Sequence, residues 1–331
     1  MPGSRVIEEL DRVYPARVRP AAPWEASRAA DDYGRPAQPD WREIDWSPHV
    51  HRMRLLGREV TYADIGTGED PPVVFVHGLG ANWQNWLEQM PRVAETRRAV
   101  ALDLPGFGSS EMPSEDISIH GYAHVVDALC EELGLGPVVV VGNSMGGFIG
   151  AEMAIAYPSR VERLVLVSAA GLSSTNLHRR PTMTVARYTT VLGTLTASKS
   201  TTIVRRPRLR HAVLAPVVRH PSRLPADLLF EVLRGTGKPG YVDALDAVMT
   251  YDFRDRLPEI GSPTLIVWGR KDMLVPVRDA DEYERLIPKS RKVLLDETGH
   301  APMIERPDTF NRCLMTFVEE DEPETTGGST S

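Results

Sequence analysis

The chain of 331 residues is poor in cysteine and in long apolar runs. Its two cysteines, Cys130 and Cys313, are too few for a disulfide framework or a cysteine-rich metal site. No stretch of about 18 consecutive apolar residues occurs, so no membrane span is expected. The first residues also lack the apolar core of a signal peptide. We therefore expect a cytoplasmic protein without a transmembrane segment.

Acidic residues are missing from one long segment. No Asp or Glu lies between Arg163 and Ala226, and the net charge of the whole chain is −7, which argues against nucleic-acid binding as the main task. A charge run of this kind is usually a solvated face. The functional alternatives are attraction of an anionic substrate and contact with an anionic lipid surface. The basic residues of this segment are Arg179, Arg180, Arg187, Lys199, Arg205, Arg206, Arg208, Arg210, Arg219 and Arg223.

Hydrophobic residues make up 42% of the chain and charged residues 25%, which is typical of a folded protein. From about residue 50 onward, short apolar strands such as "PPVVFVHG", "PVVVVG" and "SPTLIVWG" alternate with helical segments such as "NWQNWLEQMPRVAE" and "HGYAHVVDALCEELG". Only "HVHRMRLLG" and "REVTYADIGTG" resemble a solvent-facing hairpin. This alternation predicts an α/β fold with a mostly parallel, doubly wound sheet of about eight strands and helices on both faces.

The same pattern divides the chain into four parts. Residues 1–45 are predicted to be an N-terminal extension, partly ordered, that Trp24, Trp41 and Trp46 could anchor. Residues 46–171 and 252–320 form the α/β core. Regularity lapses over residues 172–251, which predicts a mainly helical cap or lid inserted after the sixth strand. Residues 321–331 are predicted to be a disordered tail.

Reactive side chains fall just after the predicted strands, where open parallel sheets bind their ligands. The sequence Gly142-Asn143-Ser144-Met145-Gly146 fits the G-x-S-x-G nucleophile elbow in a strand-turn-helix context. Gly142 and Gly146 allow neighbouring backbone to pass closely, and the following helix directs its positive amino end at the hydroxyl. The alternative is that Ser144 only caps that helix.

A serine nucleophile needs a base, and His300 in "DETGHAP", after the last predicted strand, is the candidate. Its alternative is an ordinary loop histidine. His77 also ends a strand, but His-Gly at that place is typical of a turn with a backbone role. His120 and His124 belong to a predicted helix and are expected on its surface.

The base needs a carboxylate to orient it, and Asp272 in "WGRKDMLVP" has the expected place. Its alternative is a surface ion pair with Lys271 or Arg270. Asp279 and Asp281 are weaker candidates, since they are expected to open the following helix. The order serine, aspartate, histidine is the order that hydrolases with this elbow use.

An oxyanion hole would complete the site. Its backbone N–H donors are predicted to be Met145 in the elbow and Leu79 in "HGLG", with His77, Gly78 and Gly80 supporting that loop. No cofactor or metal is expected. "GLGANW" has Trp83 where a dinucleotide fingerprint needs its third glycine, "GTGKPG" has Pro239 where a phosphate loop needs Ser or Thr, and no histidine pair has helical metal-binding spacing.

Over residues 50–318 the chain resembles the α/β-hydrolase fold family, through "HGLG", "DLPGFGSS", "GNSMGG", "GRKDMLVP" and "GHAPMIERP". The resemblance implies a serine hydrolase, most simply a carboxylic-ester hydrolase of the esterase or lipase type, acting on a small-molecule ester without a cofactor. It gives Asp103 in "DLPGFG" a structural role only. The sequence leaves the oligomeric state open.

Two other functions fit parts of the pattern. "GNSMGG" is similar to carbon–carbon bond hydrolases that act on ring-cleavage products (vinylogous diketone acids), but the chain lacks their proline-containing glycine loop and has Ala301 where they tend to have tryptophan. Some relatives keep the fold as small-molecule receptors. Ser144 distinguishes the chain from relatives that have aspartate at this position of the elbow, such as haloalkane dehalogenases and epoxide hydrolases.

Overall fold

An eight-stranded sheet forms the centre of the protein in a computed structural model that describes residues 19–174 and 204–320. Its order is β1-β2-β4-β3-β5-β6-β7-β8, and only the β1–β2 and β2–β4 pairs are antiparallel. The predicted mostly parallel, doubly wound sheet is confirmed. The strands are β1 Val50–Leu55, β2 Arg58–Ile65, β3 Asp70–Val76, β4 Arg97–Leu102, β5 Val138–Asn143, β6 Val161–Val167, β7 Thr264–Gly269 and β8 Ser290–Leu295.

The central strands are apolar throughout because the sheet is covered on both faces. In β3, Val74 and Val76 pack into one hydrophobic cluster and Val73 and Phe75 into the other. All four side chains are completely buried. Successive side chains of a strand point to opposite faces, so a strand between two layers of helices must be apolar at every position.

Helices cover both faces of the sheet. Helices α2, α3 and α7 contribute to one cluster, and α1 and α9 to the other. No helix within the described ranges is both long and apolar enough to cross a bilayer. The helices are α1 Met90–Ala94, α2 Ile119–Glu132, α3 Met145–Ala156, α4 Pro207–Leu214, α5 Ala226–Leu233, α6 Tyr241–Thr250, α7 Arg278–Leu286, α8 Pro302–Glu305 and α9 Pro307–Glu319.

One predicted helix is interrupted. The segment 82–95 forms a 3₁₀ turn, Trp83–Trp86, followed by the short helix α1, instead of one continuous helix. Pro91 lies in the first turn of α1, where a missing N–H does no harm, whereas inside a continuous helix it would remove a hydrogen bond. The 3₁₀ turn is held by the carboxylate of Asp103, which accepts from the N–H of Trp83 at 2.8 Å.

Three helices, α4 to α6, lie in the described part of the chain between β6 and β7. They belong to the predicted cap, residues 172–251, and side chains from all three contribute to the hydrophobic clusters. Residues 175–203 of that segment lie outside the described residues.

The described N-terminal residues, 19–49, form three 3₁₀ turns that pack on the body: Pro23–Arg28, Trp41–Glu43 and Ser47–His49. Trp41 is buried and Trp46 packs against the second cluster, but Trp24 is 79% exposed and anchors nothing. The carboxylate of buried Glu88 accepts from the N–H of Ala37 at 2.7 Å and from Nε1 of Trp41 at 3.0 Å. Residues 1–18 and the predicted disordered tail, 321–331, lie outside the described residues.

Candidate active site

Ser144 lies at a sharp turn between β5 and α3. Its backbone has φ 56° and ψ −116°, a conformation that residues with a side chain rarely adopt. Close backbone packing makes glycine necessary on both sides. A Cβ on Gly142 would lie 2.1 Å from the carbonyl oxygen of Gly146, and one on Gly146 would lie 2.1 Å from that of Val76. The Ser144 hydroxyl makes no capping hydrogen bond to α3. The turn therefore presents this hydroxyl at the carboxyl edge of the sheet.

His300 and Asp272 follow adjacent strands, β8 and β7, and meet at the same edge. Nδ1 of His300 is 2.8 Å from Oδ2 of Asp272. Oδ1 of Asp272 accepts from the N–H groups of Leu274 at 2.7 Å and Val275 at 2.9 Å. The Asp272 side chain is fully buried, so these three donors compensate for the lost hydration of its charge. Because a carboxylate only accepts, the neutral imidazole carries its proton on Nδ1 and leaves Nε2 as a base.

The backbone of His300 is held from two directions. Its carbonyl accepts from Nδ2 of Asn143 at 3.2 Å, and the same amide donates to the carbonyl of Val167 at 3.1 Å. Its N–H donates to the carbonyl of Val217 at 3.0 Å. Asn143 precedes Ser144, and Val217 belongs to the segment between β6 and β7. The loop of His300 is therefore joined both to the elbow and to that segment.

Glu305 stabilises the loop of His300 through hydrogen bonds to its backbone. Its carboxylate accepts from the N–H groups on either side of His300: Gly299 at 2.9 and 3.0 Å and Ala301 at 3.1 Å. It also accepts from the N–H of Arg219 at 2.8 Å and from the hydroxyl of Tyr33 at 2.6 Å. Burial raises the pKa of Glu305, and these hydrogen bonds act in the opposite direction.

The loop after β3 is fixed by a buried neutral histidine. Nε2 of His77 accepts from the N–H of Leu104 at 3.0 Å, so its proton is on Nδ1, which lies 2.7 Å from the carbonyl oxygen of Gly78. Burial lowers the pKa of His77 to about 4, so the ring stays neutral at neutral pH. A Cβ on Gly78 would lie only 3.1 Å from that of Ser144. This close approach brings the loop against the elbow.

The two predicted oxyanion donors have N–H groups available. The N–H of Leu79 makes no hydrogen bond within residues 19–174 and 204–320. Met145 is the first residue of α3, where an N–H has no acceptor inside the helix. Gly80, with φ 74°, turns the loop next to Leu79. Leu79 and Met145 both line the cavity that also contains Ser144.

A single cavity of about 140 Å³ brings these groups together, since Ser144, His300, Leu79 and Met145 all line it. The Ser144 hydroxyl makes no hydrogen bond to His300 or to any other described residue, and hydrogen bonds between such groups often tighten only when substrate binds. None of the described lining residues is Lys, Arg, Asp or Glu. The lining from residues 214–248, between β6 and β7, is mainly apolar: Leu214, Val217, Val218, Leu229, Val232, Leu233, Thr236, Tyr241 and Val248.

Sequence reasoning missed three residues of this site. Asn143 and Glu305 bind the backbone around His300, as described above. Asn85 lines the cavity, is 8% exposed, and its side-chain amide makes no hydrogen bond in the parts of the chain that the structure describes. It therefore offers a polar group to a ligand. No local pattern marks the role of Glu305, and Asn85 lies in a segment predicted as one continuous helix, which the structure interrupts.

Asp103 stabilises the turn that follows β4. Its carboxylate accepts from the N–H groups of Trp83 at 2.8 Å and Ser109 at 2.7 Å, and burial raises its pKa to about 6. A Cβ on Gly108 would lie 2.0 Å from this carboxylate. Asp103 thus closes the turn of "DLPGFG" and holds the 3₁₀ turn that follows the "HGLG" loop.

The competing histidines and acids lie elsewhere. His120 and His124 are on α2; the first contacts Glu152 at 3.0 Å, and neither lines the cavity. Asp279 and Asp281 lie in the first turn of α7, as predicted. Within the described ranges, no group of three or more His, Cys, Asp or Glu side chains is arranged to hold a metal ion.

The fold and the sequence together define the class of this protein. The profile of the alpha/beta hydrolase fold family matches residues 71–307, well over half of the chain. The chain belongs to the α/β-hydrolase family.

Relatives within that family have several activities. The chain is 30% identical over 252 residues to the putative carbamate hydrolase RutD of Agrobacterium fabrum, covering 76% of this chain and 94% of the relative. It is 29% identical over 297 residues to 2-hydroxy-6-oxo-2,4-heptadienoate hydrolase of Pseudomonas putida, covering 82% and 98%. The crystal structure of the enol-lactonase from Burkholderia xenovorans superposes with a TM-score of 0.66 at 25% identity, covering 82% and 100%. The relatives thus include hydrolases of different bonds.

Proposed function

We propose that this protein is a serine hydrolase that cleaves a carboxylic ester through an acyl-enzyme intermediate. The observation that carries the proposal is the shared cavity: Ser144, His300, Leu79 and Met145 all line it, the last two being the predicted amide donors. The hydrogen bond from His300 Nδ1 to Asp272 leaves Nε2 as the free base of that cavity.

In the first half of the reaction, Ser144 Oγ attacks the ester carbonyl carbon while His300 Nε2 accepts the hydroxyl proton. Asp272 stabilises the imidazolium that forms. The carbonyl oxygen becomes an oxyanion and accepts hydrogen bonds from the N–H groups of Leu79 and Met145. Each such donor contributes roughly 3 kcal/mol to stabilisation of the transition state. The tetrahedral intermediate then collapses, and His300 gives its proton to the departing alcohol.

In the second half, a water molecule takes the place of the alcohol. His300 removes a proton from this water as it attacks the acyl carbon of the ester on Ser144. The same two amides stabilise the second oxyanion. When it collapses, the carboxylic acid leaves and Ser144 Oγ recovers the proton from His300.

The cavity lining favours an uncharged, apolar acyl group. Apolar side chains from α4 to α6 form one wall, and the described lining has no charged side chain. The described helices of the predicted cap, α4 to α6, would then be the lid that shapes the acyl site. Asn85 is placed to hydrogen-bond a polar atom of the substrate, and it is the side chain we propose for orienting the ester.

The described basic residues of this segment differ in their surroundings, and buried Arg219 forms an ion pair with Glu297 at 3.1 Å. Arg205, Arg206, Arg208 and Arg223 are exposed, which favours a solvated face. Buried Arg210 donates to the carbonyls of Val204, Pro221 and Ser222, a structural role. Hydrolysis of an anionic ester that slows steeply with added salt would instead support steering of an anionic substrate. Arg179, Arg180, Arg187 and Lys199 lie outside the described residues.

The test of the proposal is Ser144→Ala together with a fluorophosphonate probe. Hydrolysis of a graded panel of uncharged esters is expected to disappear, because the nucleophile is gone, while the thermal midpoint of unfolding stays nearly unchanged. The probe is expected to label the wild type and not the variant. A variant that retains most of its activity would reject the assignment. Labelling of the wild type without turnover of any ester would favour a receptor role.

A second candidate is hydrolysis of a carbon–carbon bond in a vinylogous diketone acid. The similarity to 2-hydroxy-6-oxo-2,4-heptadienoate hydrolase favours it. The substrate of such an enzyme carries a carboxylate, for which the described lining has no cationic side chain. Parallel assays with a chromogenic short-chain ester and a vinylogous diketone acid distinguish the two reactions; we expect faster turnover of the ester.

A further inference from the structure

The N-terminal segment, residues 19–49, bridges two parts of the molecule that surround the site. Toward the core, Asp32 forms an ion pair with Arg306 at 2.8 Å. Toward the helices between β6 and β7, Arg42 forms an ion pair with Asp227 at 2.6 Å. Tyr33 lies between these two anchors and is 1% exposed. The segment therefore crosses the molecule beside the loop of His300.

One hydroxyl joins three distant stretches of the chain. Oη of Tyr33 donates to Oε2 of Glu305 at 2.6 Å and accepts from the N–H of His220 at 2.7 Å. The Tyr33 ring also packs edge-on against the ring of His220, with centroids 5.2 Å apart. Next to it, the N–H of Gly34 donates to the Glu305 carbonyl at 2.8 Å.

Glu305 depends on such donors. It is completely buried, and its side-chain partners within residues 19–174 and 204–320 include no Lys or Arg side chain. Its remaining hydrogen bonds come from the backbone N–H groups of Gly299, Ala301 and Arg219. A buried carboxylate without a cation is stabilised by the hydrogen bonds it accepts, and a hydroxyl donor to a charged oxygen is among the strong ones.

We propose that Tyr33 is a positioning residue for His300. It fixes the Glu305 carboxylate, and that carboxylate fixes the two peptide groups that flank His300. The N-terminal segment is then part of the catalytic apparatus and not only of the fold. The proposal rests on the proposed function, in which His300 is the base. Its effect is on the alignment of the imidazole, so it is expected in kcat more than in KM.

The test is Tyr33→Phe in the full chain, assayed on the best ester of the panel. Loss of the hydroxyl frees the loop of His300, and small misplacements of a catalytic group are costly, so kcat is expected to fall about tenfold or more with a much smaller change in KM. The rate of fluorophosphonate labelling should fall in parallel, because it uses the same base. Should Y33F not fold, Glu305→Gln weakens the same hydrogen bond while keeping the length of the side chain, and a comparable fall in kcat is expected.

The matched control is Trp41→Phe. It also removes a side-chain donor of the N-terminal segment from a buried carboxylate, but that carboxylate is Glu88, which makes no hydrogen bond to the loop of His300. A comparable loss of stability is expected in W41F with kcat retained. If W41F and Y33F lower kcat equally, the segment acts only through stability and the proposal is wrong.

A double-mutant cycle with Glu305→Gln tests whether Tyr33 acts on His300 through the Glu305 carboxylate. If Tyr33 acts through Glu305, Y33F should lower kcat much less in the E305Q background than in the wild type. Fully additive losses, or a Y33F protein with wild-type kcat, would overturn the positioning role. Either result leaves the Ser144→Ala test untouched, so failure of this proposal is separable from failure of the ester-hydrolase proposal.

Discussion

The two halves of the candidate site are built in different ways. The half that contains the "HGLG" loop and the elbow, residues 77–80 and 142–147, is shaped by backbone contacts between the ends of two neighbouring strands, β3 and β5. The half that contains His300 is shaped by side chains far away in the sequence: Asp272, Asn143, Glu305 and, through Glu305, Tyr33.

This difference shows where each half is vulnerable. In the elbow half, steric exclusion leaves room only for glycine at certain positions, so an added methyl group damages the fold. In the histidine half the backbone is also tightly packed, since a Cβ on Gly269 would lie 2.0 Å from the carbonyl oxygen of Gly299. The ring itself, however, is aligned by hydrogen bonds from side chains, so loss of a single polar group there should damage catalysis before stability. The predictions below test that contrast, beginning with the largest effect.

Asp272→Asn should lower kcat by about four orders of magnitude while the protein stays folded. An asparagine amide can donate to Nδ1 of His300, which moves the ring proton to Nε2 and removes the base. Steady-state kinetics with the best ester measures the loss. The control is Asp279→Asn, another buried acid, which accepts from the N–H of Ser173 and does not line the cavity. Near-normal activity in D272N would contradict the histidine half of the site.

Gly146→Ala should instead destabilise the fold by about 3 kcal/mol or more, because the new Cβ would meet the Val76 carbonyl oxygen at 2.1 Å. Urea unfolding gives the change in free energy. Gly136→Ala is the matched control: nothing lies within 4 Å of a Cβ at that glycine, and a change of no more than about 0.5 kcal/mol is expected. Equal stabilities of the two variants would show that the elbow tolerates a side chain.

His77 should make stability depend on pH. Its pKa is lowered to about 4 in the fold, so between about pH 6.5 and 4 the unfolded chain binds a proton that the folded chain does not. This contribution is complete above pH 6.5 and is lost as the pH falls, by up to about 3 kcal/mol near pH 4.

The measurement is the free energy of unfolding against pH for the wild type and His77→Gln. The difference between the two curves should shrink as the pH falls through that range, because only the wild type loses this contribution. Asp103, whose pKa is raised to about 6, gives a slope of the opposite sign in both proteins and cancels in the difference. Parallel curves would mean that His77 is not held neutral by the fold.

Much of the elbow half could be predicted from the sequence. The valine run before Ser144 predicts a buried strand, and the glycines around the serine predict a sharp turn, since only local sterics are involved. The same local reasoning fails for the segment 82–95, where Pro91 divides one predicted helix, and as a result Asn85 was not recognised as a cavity residue. The roles of Glu305 and Tyr33 have no local pattern: they are 272 residues apart and meet only in the folded chain.

The sequence alone determined the alternation of strands and helices and the glycine-flanked turn at Ser144, because both follow from the conformations of neighbouring residues. It also gave the order of the three candidate residues, Ser144, Asp272 and His300, directly. Tertiary structure decided that His300 meets Asp272, that an apolar wall from α4 to α6 closes the cavity, and that the N-terminal segment reaches the loop of the histidine. The physical reason is that a buried carboxylate is stabilised by hydrogen-bond donors, and the fold can bring these donors from any distance along the sequence.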